Sequence, residues 1–278
     1  RSSDLRRMVN QWEPTIYHVM SRTALDGFPL TAVDKDYFLH LIRWFSQLYL
    51  VDVIGFCLMD NHFHLLIRVY PEDHGSDEEL LARLKRFYGK RKLISRHQLP
   101  FYRAKLSSLS EYIKEIKQGF TRYYNKLNNR KGFFWGQRFK SVMIGNSEAL
   151  LNCLAYIDLN PVRAAMVAQP EDYRWCTLGY LVQSGNKGNF LSLEFGVDRL
   201  NRLGYSKRLA AYREFVYELG SLVSDKGKAM DQAILEKHRR KGFTISSLDH
   251  LRYRTRYFTD SGVIGSKRYV ISVYGQLL

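Results

Sequence analysis

Three observations predict an α+β fold. Short apolar stretches with two-residue alternation recur early in the chain. Segments with apolar residues at helical spacing interrupt and follow them. An Asp60-Asn61 pair sits between two of the apolar stretches and reads as a hairpin turn, which makes those two strands antiparallel. Together they predict strand, helix, strand, strand, then a mainly helical remainder whose last third is the smaller part.

The first strand is Trp12 to Arg22, where apolar and polar residues alternate. Asp34 to Leu50 follows as a helix, with Phe38, Leu41, Ile42, Phe45 and Leu48 on one face. Val51 to Met59 and His62 to Val69 are the second and third strands. Asp77 to Arg96 is a Lys- and Arg-rich helix, and Ser110 to Asn128 another, with Tyr112, Ile116, Phe120, Tyr123 and Leu127 in register. Lys131 to Ile144 reads as a turn and then a strand. Asn146-Ser147-Glu148 offers caps for a helix from about 148 to Asn160. Gln183 to Phe190 is rich in Gly, Ser and Asn and reads as a linker. A boundary there gives a larger domain over 1–182 and a basic, mainly helical region over 183–278. That region holds helices around Lys207 to Leu219 and Met230 to Arg240 and a basic tail, LRYRTRYF.

The chain of 278 residues is long enough for one large core, or for one domain and a smaller one. Its formal net charge is +16, which points to a polyanionic partner. Nineteen Tyr and sixteen Phe lie among the basic residues, a mixture suited to stacking bases while neutralising phosphates. Cys57, Cys153 and Cys176 have no CxxC spacing, so packed thiols in a reducing compartment are expected rather than a zinc knuckle or disulfides. No apolar run approaches the ~18 residues of a membrane span, and no signal-peptide pattern opens the chain, so no membrane association is expected.

The chemistry concentrates in two places. His62 and His64 flank Phe63 on a strand, so both imidazoles share a face while the phenylalanine takes the other. Such a pair either ligates a divalent ion or simply lies on a sheet, and imidazole suits several metals. Tyr156 and Asn160 stand at i and i+4, on one helix face, and could bring a phenol and an amide oxygen to the same point. Pro161 biases Asn160 towards a kink or helix end. Tyrosine is a poor nucleophile unaided, and a divalent ion polarising a phosphate would make its attack feasible. Candidate nucleic-acid contacts are Arg22, Arg138, Trp135, and the run Lys85, Arg86, Lys90, Arg91 and Lys92. Tyr123 and Tyr124, on a basic helix, are alternative nucleophiles, with at least one of them core by register.

YHVMSR, MDNHFHLLIRV, YYNKLNNRKGFFWGQRFKSV and YIDLNPVRAAMV, in this order, resemble the IS200/IS605-type single-tyrosine transposases of the HUH class, and most closely the REP-associated branch. The resemblance covers about Glu13 to Trp175. YFTDSGVIGSKRYV, near the end, also looks like longer relatives. The resemblance implies an antiparallel sheet flanked by helices, with His62 and His64 as metal ligands, Asn160 as a polar third ligand and Tyr156 as nucleophile. It implies Mg²⁺ or Mn²⁺, and cleavage of single-stranded DNA beside a hairpin through a 5′-phosphotyrosine that leaves a free 3′-OH. It further implies a prokaryotic, cytoplasmic, nucleoid-associated protein, with a homodimer as one option. The alternative is a non-catalytic hairpin-binding protein that keeps the fold.

Overall fold

The computed structural model describes residues 12–89, 94–145, 147–186, 188–193, 202–222, 227–246 and 249. Lys90, Arg91, Lys92, the cap candidate Asn146, the basic tail and the YFTDSGVIGSKRYV segment lie outside them. The fold is α+β. Strands β1 (Thr15–Arg22), β2 (Val51–Leu58), β3 (His62–Val69) and β4 (Lys140–Ile144) form one sheet in the order β2-β3-β1-β4. Every neighbouring pair is antiparallel. The helices are α1 (Ala32–Ser46), α2 (Asp77–Tyr88), α3 (Leu99–Leu106), α4 (Leu109–Leu127), α5 (Ser147–Arg163), α6 (Thr177–Ser184), α7 (Tyr205–Ser221) and α8 (Gln232–Arg240).

The sheet separates two aromatic and aliphatic layers. On one face Phe63 meets Phe38 of α1 and Trp135, with ring centroids 5.0 and 5.3 Å apart, and Phe120 of α4 closes the cluster. Thr31 caps α1 by a reciprocal pair with Asp34, so the helix starts where two of its orphan donors are satisfied. The opposite face carries His62, His64 and Leu66, and across the ladder Arg22, Met20 and His18. Helix α5 packs on this face.

Gly55 lets α5 come close. A Cβ there would lie 2.2 Å from Leu154 Cδ1 and 2.9 Å from Thr177 Oγ1. Leu154 is fully buried, so it has nowhere to swing. Gly55→Ala is expected to cost about 1–3 kcal/mol by overpacking, read as a lower thermal midpoint.

Two helices were not anticipated. Helix α3 fills a stretch left without an element. Helix α6 is buried on nearly all sides, Thr177 and Gln183 included, so it lacks the exposed polar stripe that marks a surface helix. The expected end of α5 at Asn160 also moves: the helix runs through Pro161 to Arg163. Proline removes the donor that would reach the Ile157 carbonyl. The Asn160 side-chain amide donates to that carbonyl at 3.2 Å and to the Tyr156 carbonyl at 2.9 Å, repairing the gap.

Beyond residue 183 the chain stays tied to the rest. Ser192 N donates to the Val53 carbonyl at 2.8 Å, at the edge of β2. Helix α7 lies on α5, where the Tyr212 hydroxyl donates to Asp158 Oδ2 at 2.5 Å. Arg213 and Glu171 form a fully buried ion pair at 2.6 Å, and Arg213 also donates to the Phe243 carbonyl and Tyr217 to Glu171. Burial lowers the pKa of the Arg213 guanidinium, but Glu171 and Tyr217 more than offset this and hold it raised.

Candidate active site

Tyr156 stands over the histidine face. Its ring centroid is 5.9 Å from that of His64 and 6.2 Å from that of His18, edge-on to both. His62 and His64 centroids are 5.1 Å apart. Strand β3 thus supplies the histidine pair, β1 a third imidazole and α5 the phenol. Helix α5 is held at this height by Leu154 over Gly55, and on its far side by Asp158. That carboxylate accepts from Leu178 N at 3.0 Å as well as from Tyr212. Burial pushes the Asp158 pKa up to about 7, against the pull of those hydrogen bonds.

The ring nitrogens of His62 are oriented by a turn residue. Asn61 Nδ2 donates to the Gly27 carbonyl at 3.1 Å. A carbonyl can only accept, so the amide oxygen is the atom facing His62 Nδ1 at 2.8 Å, and that nitrogen must carry the proton. Nε2 of His62 is left with its lone pair. His64 Nδ1 lies 3.0 Å from His18 Nε2, so one nitrogen of each ring is engaged by the other. Burial lowers all three imidazoles, to about 4 for His62 and His18 and about 3 for His64. Neutral imidazole is the ligating form.

Among the described residues, no group of three or more His, Cys, Asp or Glu is arranged to hold a metal ion. A divalent cation would therefore need oxygen ligands beside the histidine pair. The fixed tautomer of His62 fits a metal-binding role, because it exposes a lone pair. Asn160 Nδ2 is committed to the helix backbone, so only Oδ1 is available as a ligand atom.

Sequence reasoning missed three residues here. His18 reaches His64 only through the β1–β3 register, in which His18 faces Leu66. Asn61 carries only a turn signal in the sequence. Arg163 sits at i+7 from Tyr156, on the same helix stripe, a spacing that was open to notice. Its guanidinium carbon lies 5.4 Å from the Tyr156 ring centroid, and its Nη1 is buried without a hydrogen-bond partner among the described residues.

Of the nucleic-acid candidates, Arg22, Trp135 and Arg138 lie on neighbouring segments joined by the Thr23–Trp135 bridge and the Gly136 N to Arg22 carbonyl bond. Arg22 is exposed at the end of β1, opposite His62 in register. Arg138 is exposed, and Lys85 and Arg86 are exposed on α2. Trp135 packs in the aromatic core at 8% exposure, with its indole N–H on the Lys117 carbonyl. Tyr123 and Tyr124 are both buried in the layer with α1, across the sheet from the histidines, where Tyr123 stacks on Tyr37. They are not nucleophiles for this site.

No protein-family profile matches the chain, and no curated protein matches it. Among solved structures, a REP-associated tyrosine transposase bound to a REP hairpin is similar at 16% identity and a TM-score of 0.46, covering 67% of this chain and 90% of that one. No helix among the described residues is long and apolar enough to cross a membrane.

Proposed function

We propose that this chain is a metal-dependent enzyme that cuts and rejoins single-stranded DNA. More specifically, it acts as a single-tyrosine transposase that cleaves beside a hairpin and works on prokaryotic DNA in the cytoplasm. One observation carries the reading: Tyr156 stands edge-on over an imidazole cluster whose strand pair, His62 and His64, is neutral. The four ordered sequence blocks and the net charge of +16 support the substrate class.

In this reading Tyr156 Oη attacks the scissile phosphorus. A P–O bond to tyrosine forms, the P–O3′ bond breaks, the phenol gives up its proton and the departing 3′ oxygen gains one. Later attack by a 3′-OH reverses the exchange without nucleotide hydrolysis. His62, His64 and Asn160 would hold Mg²⁺ or Mn²⁺, which supplies charge neutralisation at the phosphate when bound. Arg163, its guanidinium carbon 5.4 Å from the ring centroid, places a positive charge beside the nucleophile. Arg22 binds the flanking backbone at the strand end.

Mixing the full chain with hairpin-bearing single-stranded DNA and Mg²⁺ or Mn²⁺ is expected to give an SDS-resistant protein–DNA adduct that EDTA prevents. Failure to form it across a broad hairpin panel, with binding retained, would leave a non-catalytic hairpin-binding protein. His64→Ala is expected to abolish cleavage and spare most of the DNA binding. His18→Phe removes the partner of His64 Nδ1 and is expected to weaken Mn²⁺ binding by about 10–100-fold in calorimetry. Unchanged Mn²⁺ affinity would make His18 a packing residue only.

A further inference from the structure

A cleft of about 420 Å³ opens between α4 and residues 135–139, on the sheet face away from Tyr156. Lys114, Lys117, Trp135, Arg138 and Phe139 line it. Glu111 lines it too, but its carboxylate is paired with Lys114 at 3.1 Å. Lys117 is the unusual member. Its ammonium donates to Ser21 Oγ and to the Gln137 carbonyl, each at 2.9 Å, and lies 5.4 Å from the Trp135 ring centroid. All three partners are neutral. Burial lowers its pKa to about 8, with no carboxylate to restore it. An ammonium has three donors, and two are used. A half-buried cation with only neutral partners, facing an open cleft, lacks its counter-charge.

We propose that this cleft seats a phosphate of single-stranded DNA on Lys117, with Arg138 as the flanking cation and the aromatic wall beside an adjoining base. The location suits the path of a substrate. Ser21 precedes Arg22, which faces His62 across the ladder, and Gly136 N donates to the Arg22 carbonyl at 3.0 Å. A DNA strand seated in the cleft therefore turns around the end of β1 to reach the histidine face. The inference rests on the reading that the chain binds single-stranded DNA.

The test compares the full chain with Lys117→Gln for hairpin-bearing single-stranded DNA by fluorescence anisotropy, over roughly 50 to 300 mM salt. The variant is expected to bind several-fold more weakly, with the slope of log affinity against log salt reduced by about 0.7, as for one lost single-strand phosphate contact. Lys207→Gln removes the same charge from an exposed position on α7 and is expected to change neither quantity comparably. In unsubstituted protein, bound DNA is expected to protect Lys117 from acetylation, a readout that needs no variant. An unchanged slope together with an unprotected Lys117 overturns the cleft site while leaving DNA binding standing, and an equal drop for Lys207→Gln overturns it as mere bulk charge. Absence of any affinity in the unsubstituted chain overturns both this site and the reading beneath it.

Discussion

Tyr156→Phe is expected to eliminate the covalent protein–DNA adduct and leave folding and DNA binding close to unchanged. The substitution removes one oxygen. The ring that packs against His18 and His64 and under Arg163 is retained, so the helix and its neighbours keep their positions. What is lost is the atom that would form the bond to phosphorus, and among the described residues no other tyrosine ring packs against the histidines of β3 and β1. Tyr123 and Tyr124 lie across the sheet and cannot substitute. The measurement is denaturing electrophoresis of labelled hairpin DNA, with anisotropy for binding and a melting curve for the fold. An adduct of undiminished yield in the variant would assign the nucleophile elsewhere and remove the central element of the proposed chemistry.

Arg213→Met is expected to destabilise the protein by about 3–5 kcal/mol, because it leaves the Glu171 carboxylate buried without its partner. At a few degrees per kcal/mol for a chain of this size, the thermal midpoint should fall by roughly 10 °C. The loss is larger than the pair is worth, since the ion pair also carries a backbone acceptor, the Phe243 carbonyl, and borders the Tyr217–Glu171 hydrogen bond. Arg213→Met combined with Glu171→Leu removes both charges and is expected to recover much of the stability, as apolar replacement of a whole buried pair often does. Equal instability of the single and double variants would show that packing at α7, not charge, sets the cost.

Much of the fold was legible because period-two alternation and the Asp60-Asn61 turn survive in the folded strands. The histidine face was legible for the same reason, and the Tyr156–Asn160 stripe because i and i+4 share a helix face. The third imidazole was not. Whether His18 meets His64 depends on the β1–β3 register, and that register is set across residues 23–61, which carry no local signal for it. Trp135 shows a different gap: composition marks an aromatic among basic residues, but not that its ring packs in the core while also lining the cleft of Lys117. Helix α6 hid because a helix buried on all sides shows no polar stripe. The continuation of α5 past Pro161 depends on a side-chain hydrogen bond, which no backbone propensity encodes.

Asp158 gives α5 a second allegiance. Two residues after the tyrosine, on the helix's other side, it binds Tyr212 of α7 and the first turn of α6. Transplanting residues 12–182 onto a foreign carboxy-terminal segment would take one of its two hydrogen bonds from a buried acid and loosen the beam from which the phenol hangs. A working chimera would have to carry Tyr212 and Arg213 with it, because each closes a buried polar contact with a residue before 182.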